Sequence, residues 1–232
     1  MKILHLLFDD YPFINEWGYQ ENKMCNVEVN NADVVVVTGL YKTKILKEYV
    51  ELNKLEKYEE IDKFGHSFKV YRLNCWLGST PLGAKIKLYK GLMKVLSKEK
   101  PDYIFLHDLH AFSLLTLSRY LKKNSKVICM ADVHVNYANS ATNSISRLLH
   151  KTFYKAIIKR SKKRIKCIYY LNQNGKQFLN EMYGINESNT IIDFLPLGGE
   201  VMDYSEKEKT HLAFCQKEKI DTDSIIFVHS GK

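Results

Sequence analysis

No segment of this chain approaches the roughly 18 consecutive apolar residues that cross a bilayer, and its five cysteines include no CxxC pair. The first absence excludes a spanning helix. The second excludes a zinc ribbon, and the odd, scattered set Cys25, Cys75, Cys129, Cys167 and Cys215 fits reduced thiols of a cytosolic compartment better than a disulfide framework. Ile3 to Phe8 is apolar but too short for a signal-peptide core, and it runs straight into Asp9 and Asp10. The dinucleotide fingerprint GxGxxG and the phosphate loop GxxxxGK[ST] are both missing, which counts against nicotinamide, flavin or ATP binding by those means. Internal repeats and low-complexity runs are absent as well.

What is present is an ordinary globular composition with one local charge anomaly. At 232 residues and 45% hydrophobic the chain can bury a sizeable core. Between Ser144 and Lys166 lie nine cations and no acid: Arg147, Lys151, Lys155, Lys159, Arg160, Lys162, Lys163, Arg164 and Lys166. Removing these nine from the 35 Lys and Arg leaves 26, equal to the 26 Asp and Glu, so the net charge of +9 is local. The four-residue recurrence from Arg147 to Lys159, set against Ile145, Leu148, Leu149, Phe153, Ala156 and Ile157, predicts an amphipathic helix with a basic face. Such a face is either simply solvated or drawn to an anionic partner such as lipid headgroups. Aromatic interleaving is limited to Phe153 and Tyr154, so no nucleic-acid partner is expected.

Short apolar runs alternate with helical patterns along the chain. Strands are predicted at Lys2 to Phe8, Ala32 to Thr38, Ser67 to Leu73, Tyr103 to Leu106, Lys126 to Ala131, Cys167 to Leu171 and Ile191 to Leu195. Helices are predicted near Tyr19 to Met24, over Lys85 to Lys98, Ala111 to Lys122, the basic segment, and Gly175 to Met182. The stretch from Tyr41 to Gly65 reads as loop with a short helix. Repeated β-α units of this kind predict an α/β, Rossmann-like, doubly wound and mostly parallel sheet with helices on both faces. Residues 1–198 form the domain in this reading. Residues 199–224, polar and broken by PLGGE, form an interdomain linker, and residues 225–232, IIFVHSGK, open a second domain, so the chain is expected to be truncated before it.

Ligands of open α/β sheets gather outside the carboxyl ends of the strands, which makes the residues just after each apolar run the candidates. Gly18, at the entry to the first helix, would let backbone N–H groups approach a phosphate; Tyr19 follows it. After two strands stand His107, Asp108 and His110, and Asp132 and His134. Neutral imidazole and carboxylate suit hydrogen bonds to sugar hydroxyls, and the same donors could bind a metal. Lys232 follows a strand-end glycine and is placed to neutralise a diphosphate.

These motifs, taken in order, resemble the N-terminal half of family-four glycosyltransferases, retaining enzymes with two facing Rossmann-like domains in the GT-B arrangement. The resemblance is carried by WGYQENKM after the first strand, DVVVVTG at Asp33 to Gly39, PDYIFLHDLH at Pro101 to His110, ADVHVNY at Ala131 to Tyr137, YYLNQNGKQFL at Tyr169 to Leu179, YGI at Tyr183 to Ile185, PLGGE at Pro196 to Glu200, and IIFVHSGK. It implies sugar transfer from a nucleotide-sugar donor to a saccharide or lipid-linked acceptor, with no metal or other cofactor. His134 then sits by the transferring sugar as the catalytic residue, Gly18 and Lys232 lie near the donor phosphates, and Tyr19, His107, Asp108, His110 and Asp132 face the acceptor. It further implies a role in cell-surface polysaccharide or glycolipid synthesis, in the cytoplasm or peripherally on the inner face of the cytoplasmic membrane, with the basic helix holding an anionic surface. As an acceptor-side half the chain is expected to be inactive alone. Two other readings remain open: a non-catalytic binding module for anionic polymers or membranes, and a metal-dependent hydrolase using His107, Asp108, His110 and His134.

Overall fold

The structure, a computed structural model, describes residues 1–8, 13, 20–28, 31–40, 57–61, 67–77, 80–196, 198 and 203–227. Two compact units are distinguished, Met1–Leu197 and Gly198–Lys232. The first is built on β1 (Lys2–Leu7), α1 (Gln20–Glu28), β2 (Asp33–Gly39), β3 (Lys57–Ile61), β4 (Ser67–Leu73), α2 (Pro81–Ile86), α3 (Leu92–Glu99), β5 (Tyr103–His107), α4 (Ser113–Lys123), β6 (Ile128–Val133), α5 (Ser144–Leu149), α6 (Lys155–Ser161), β7 (Cys167–Tyr170), α7 (Gln173–Phe178) and β8 (Ile192–Phe194). One π-helical turn, His150–Tyr154, joins α5 to α6, and another, Leu179–Tyr183, follows α7.

The eight strands form one sheet in the order β3-β4-β2-β1-β5-β6-β7-β8. All pairings are parallel except that of the edge strand β3 with β4. This is the predicted α/β Rossmann-like architecture. Side chains alternate across a strand, and the two faces carry separate cores. Leu4, Leu6, Ile104, Leu106, Cys129 and Ala131 pack with Leu96 of α3 and Leu114 and Leu117 of α4. On the other face Leu7, Val34, Val36, Phe68 and Val70 pack with Cys25 of α1 and Phe13. Each fully buried Leu or Ile contributes about 1.5–3 kcal/mol. Helices therefore lie on both faces, and β1 has β2 on one side and β5 on the other, which is the topological switch point of the sheet.

Three expectations are corrected. The helix predicted over Lys85 to Lys98 is two helices, because Lys87 adopts a left-handed conformation (φ 50°) that ends α2 and Gly91 (φ 81°) starts α3; between them Tyr89 is buried, its N–H donating to Ser113 Oγ at 2.7 Å. A strand, β3, runs through part of the stretch read as loop, since the antiparallel backbone pairing with β4 needs no apolar pattern. The apolar side of the basic segment is also displaced: Ile145 and Leu148 are exposed, and the buried face consists of His150, Tyr154, Ile157, Ile158 and Ser161. A π turn adds a residue to one helical turn and rotates the face that follows it. A capping box at Asn143 and Ser146 still starts this helix.

In the second unit the segment expected as linker carries α8 (Tyr204–Glu218), whose Cys215 is buried. Ile225 to Phe227 belong to no strand among the described residues, and residues 228–232 lie outside them. No helix among the described residues is long and apolar enough to cross a membrane. All five cysteines are buried.

Candidate functional site

The carboxyl ends of β1, β5 and β6 lie in register, with Leu7 opposite His107 and His107 opposite Asp132. His5, His107, Asp132 and His134 consequently project from the same face, the one α1 covers. They form a continuous string. Glu28 Oε2 lies 2.7 Å from His5 Nε2, His5 Nδ1 lies 3.0 Å from His107 Nε2, and His107 Nδ1 lies 3.1 Å from Asp132 Oδ2. Asp132 Oδ2 is then 3.2 Å from His134 Nε2, which is 3.3 Å from Glu21 Oε1. Glu21 and Glu28 are seven residues apart on α1, two turns along one side, so the helix closes the string at both ends.

Burial sets the charges. Desolvation works against a charge on His134, but Asp132, Asp108 and Glu21 outweigh it and push this imidazole up to about 10. For Asp132 burial favours the neutral acid, yet His107 and His134 hold it well below the usual carboxylate range. His5 goes the other way, lowered by burial that Glu28 does not offset. His107 and Asp132 are 0% exposed, whereas the His134 side chain is 22% exposed. Of the four residues carried on the strand side of the string, His134 is thus the one whose side chain meets solvent.

Asp108 holds that end in place. It has φ 67°, a left-handed conformation costing a non-glycine residue about 1–2 kcal/mol, though Asp tolerates it better than most. Its N–H donates to Asp132 O at 3.1 Å, and its Oδ1 accepts from the His134 backbone N–H at 3.0 Å. Burial raises the Asp108 carboxyl, opposed by His134 and Lys87.

A second polar nest occupies the opposite face. Lys87 is buried, donates to Phe8 O, and lies with Nζ 2.8 Å from His110 Nε2. His150 Nδ1 is 2.6 Å from Tyr183 Oη, each on one of the two π turns. Burial and then the Lys87 charge push His150 down to about 4 and His110 well below its ordinary value.

This nest makes the fold sensitive to acid. An unfolded chain protonates these rings near pH 6.5 while the folded one does not, so stability is complete above that pH and falls as pH drops towards 4. For His150 alone the loss is about 3 kcal/mol by pH 4. Urea unfolding should show a midpoint that declines from pH 7 to pH 5 and declines less in Lys87→Met, which removes the opposing cation; equal midpoints at both pH values would exclude this role.

The structure thus brings together His107, Asp132, His134 and, through the backbone, Asp108. His110 does not join them, because it sits on the Lys87 face with Nδ1 3.9 Å from Asp108 Oδ1, so the four-residue metal set His107, Asp108, His110 and His134 is not one site. Gly18, Tyr19 and Lys232 lie outside the described residues. Arg147, Lys151, Lys159, Arg160, Lys163 and Lys166 are exposed, while Lys155, Lys162 and Arg164 are half-buried. Arg147 donates to Ala141 O, Lys162 to Asn189 Oδ1 and Arg164 to Ser118 Oγ. Sequence reasoning missed His5, Glu21, Glu28, Lys87, His150 and Tyr183. The available signal was His5 itself, a histidine inside the apolar run ILHLLF, where a buried ring needs a partner.

No family model matches the chain, and no curated protein does. Among solved structures the chain is similar to a UDP-GlcNAc 2-epimerase from Neisseria meningitidis bound to UDP-GlcNAc, with 14% identity and a TM-score of 0.39, over 95% of this chain and 52% of that one. The chain therefore spans about half the length of that enzyme. At this level the likeness says nothing about activity, and the fold assignment rests on the sheet order and register given above.

Proposed function

We propose that the chain is the acceptor-side part of a glycosyltransferase that moves a sugar from a nucleotide-sugar donor to a saccharide or lipid-linked hydroxyl with retained configuration. The observation that carries this reading is His134: the strand-side member of a buried charged string whose side chain reaches solvent, at the carboxyl ends of strands beside the switch point of an open α/β sheet. The order of sequence motifs supports it. In the reaction the anomeric C–O bond to the diphosphate breaks, a bond to the acceptor oxygen forms, and the acceptor proton leaves. His134 would donate a hydrogen bond to the transferring sugar, and the growing charge on the diphosphate calls for a cation to stabilise it. Asp108, which holds the His134 backbone, would bound the acceptor side, and His110, on the other face, would not. His107 and Asp132 are fully buried, so they act through His134, fixing its charge and orientation.

A transfer assay with a panel of nucleotide sugars and lipid-linked saccharides tests the reading, run on this chain and on one carried past Lys232. Turnover is expected only in the longer chain. Equal turnover in both would refute the division of labour, and none in either would refute sugar transfer.

The exposed cations of α5 and α6 beside exposed Ile145 and Leu148 support attachment to an anionic membrane, since each Lys or Arg near such a surface gains about 1 kcal/mol. Vesicle sedimentation should give binding that depends on anionic lipid. Reversing Lys151, Lys159, Arg160 and Lys163 to Glu should weaken it by more than about 100-fold; binding equal on neutral and anionic vesicles would end the idea. Sugar transfer that survives the reversal would also separate an enzyme from a pure binding module.

A further inference from the structure

We propose that His107 Nδ1, Asp132 Oδ2 and His134 Nε2 form a three-donor binding site for one divalent cation of the zinc class. The glycosyltransferase reading expects no metal, so this inference goes beyond it and stands or falls separately.

The geometry comes first. The donor atoms of His107, Asp132 and His134 all lie within 4.8 Å of one another. Successive separations along the set are 3.1 and 3.2 Å. Around a tetrahedral ion with bonds of about 2.0–2.1 Å, donors sit about 3.3 Å apart. Two imidazoles and one carboxylate, with the fourth position left to water, suit zinc or a neighbouring first-row metal.

His5 Nδ1 lies 3.0 Å from His107 Nε2, and Glu28 Oε2 lies 2.7 Å from His5 Nε2, outer contacts of the kind that orient a ligating histidine.

The unsatisfied atoms point to the same place. Asp132 Oδ1 and His134 Nε2 are buried polar atoms with no directed hydrogen bond among the described residues, a state that native interiors rarely leave uncompensated. Entry is available past His134 and Glu21, whose side chains are 22% and 10% exposed.

The test uses the chelator-stripped chain, titrated with Zn²⁺ by calorimetry and with Co²⁺ by visible absorption. One saturable equivalent is expected, lost in His134→Ala and kept in His211→Ala, which alters the separate neighbour pair His211 and Cys215. Nitrogen-15 ring shifts in the unaltered chain give a reading that does not depend on any variant folding: His107 Nδ1 and His134 Nε2 should move on adding Zn²⁺, while His110 and His150 stay. No saturation up to about 1 mM, binding undiminished in His134→Ala, or shifts confined to other histidines would overturn the proposal. Neither nucleotide sugar nor turnover enters this experiment, so its failure leaves the transfer reading untouched, and the reverse also holds.

Discussion

Asp132→Ala is expected to lower the unfolding free energy by about 3–5 kcal/mol, the range for removing one partner from a buried ion pair. Asp132 is 0% exposed and touches the rings of both His107 and His134. Its removal leaves His107 Nδ1 buried without an acceptor and strips His134 of its nearest counter-charge. Asp132→Asn keeps the shape and one acceptor oxygen but loses the charge, so its cost should be nearer the ~1–3 kcal/mol of an imperfectly satisfied buried group. Chemical unfolding at pH 7 orders the two variants. If alanine cost no more than asparagine, the carboxylate would be a bystander and the string would not be an electrostatic unit.

His134→Ala should reduce sugar transfer by about 10²–10³-fold, the usual cost of losing one preorganised donor to developing charge. The measurement is kcat and KM on the chain carried past Lys232. Because His134 reaches solvent while His107 and Asp132 do not, the loss should fall mainly on kcat per folded molecule, in addition to any lowering of the unfolding midpoint from leaving Asp132 one partner short. A unit placed only to support the fold would give the lowered unfolding midpoint alone, with near-normal turnover per folded molecule. His5→Gln offers a graded comparison: it breaks the string three links away from His134, so a smaller kcat loss is expected.

The strands with dense apolar runs, such as DVVVVTG and YIFLH, were legible in sequence because burial on both faces removes polar alternation. β3 was not, since KYEEI joins the sheet at its edge through backbone pairing alone. The break between α2 and α3 left only Gly91 as a signal; Lys87 entering the left-handed region is a tertiary effect of burying its ammonium against Phe8 O and His110. For the site, the strand-end rule located His107, Asp132 and His134. Their partners His5, Glu21 and Glu28 escaped it because contacts spanning 23 and 102 residues depend on sheet register and helix placement, which no local pattern encodes. His110 was grouped with His107 by nearness in sequence, whereas the bend at Asp108 sends them to opposite faces of the sheet.

The most direct measurement is a histidine-selective NMR titration of the chain with nucleotide sugars and saccharide acceptors. If the string at the ends of β1, β5 and β6 is the functional centre, ring signals of His134 shift first and saturably, those of His107 follow through Asp132, and those of His211 remain still. Saturable binding that leaves His134 and His107 unmoved would place the site elsewhere and contradict the account.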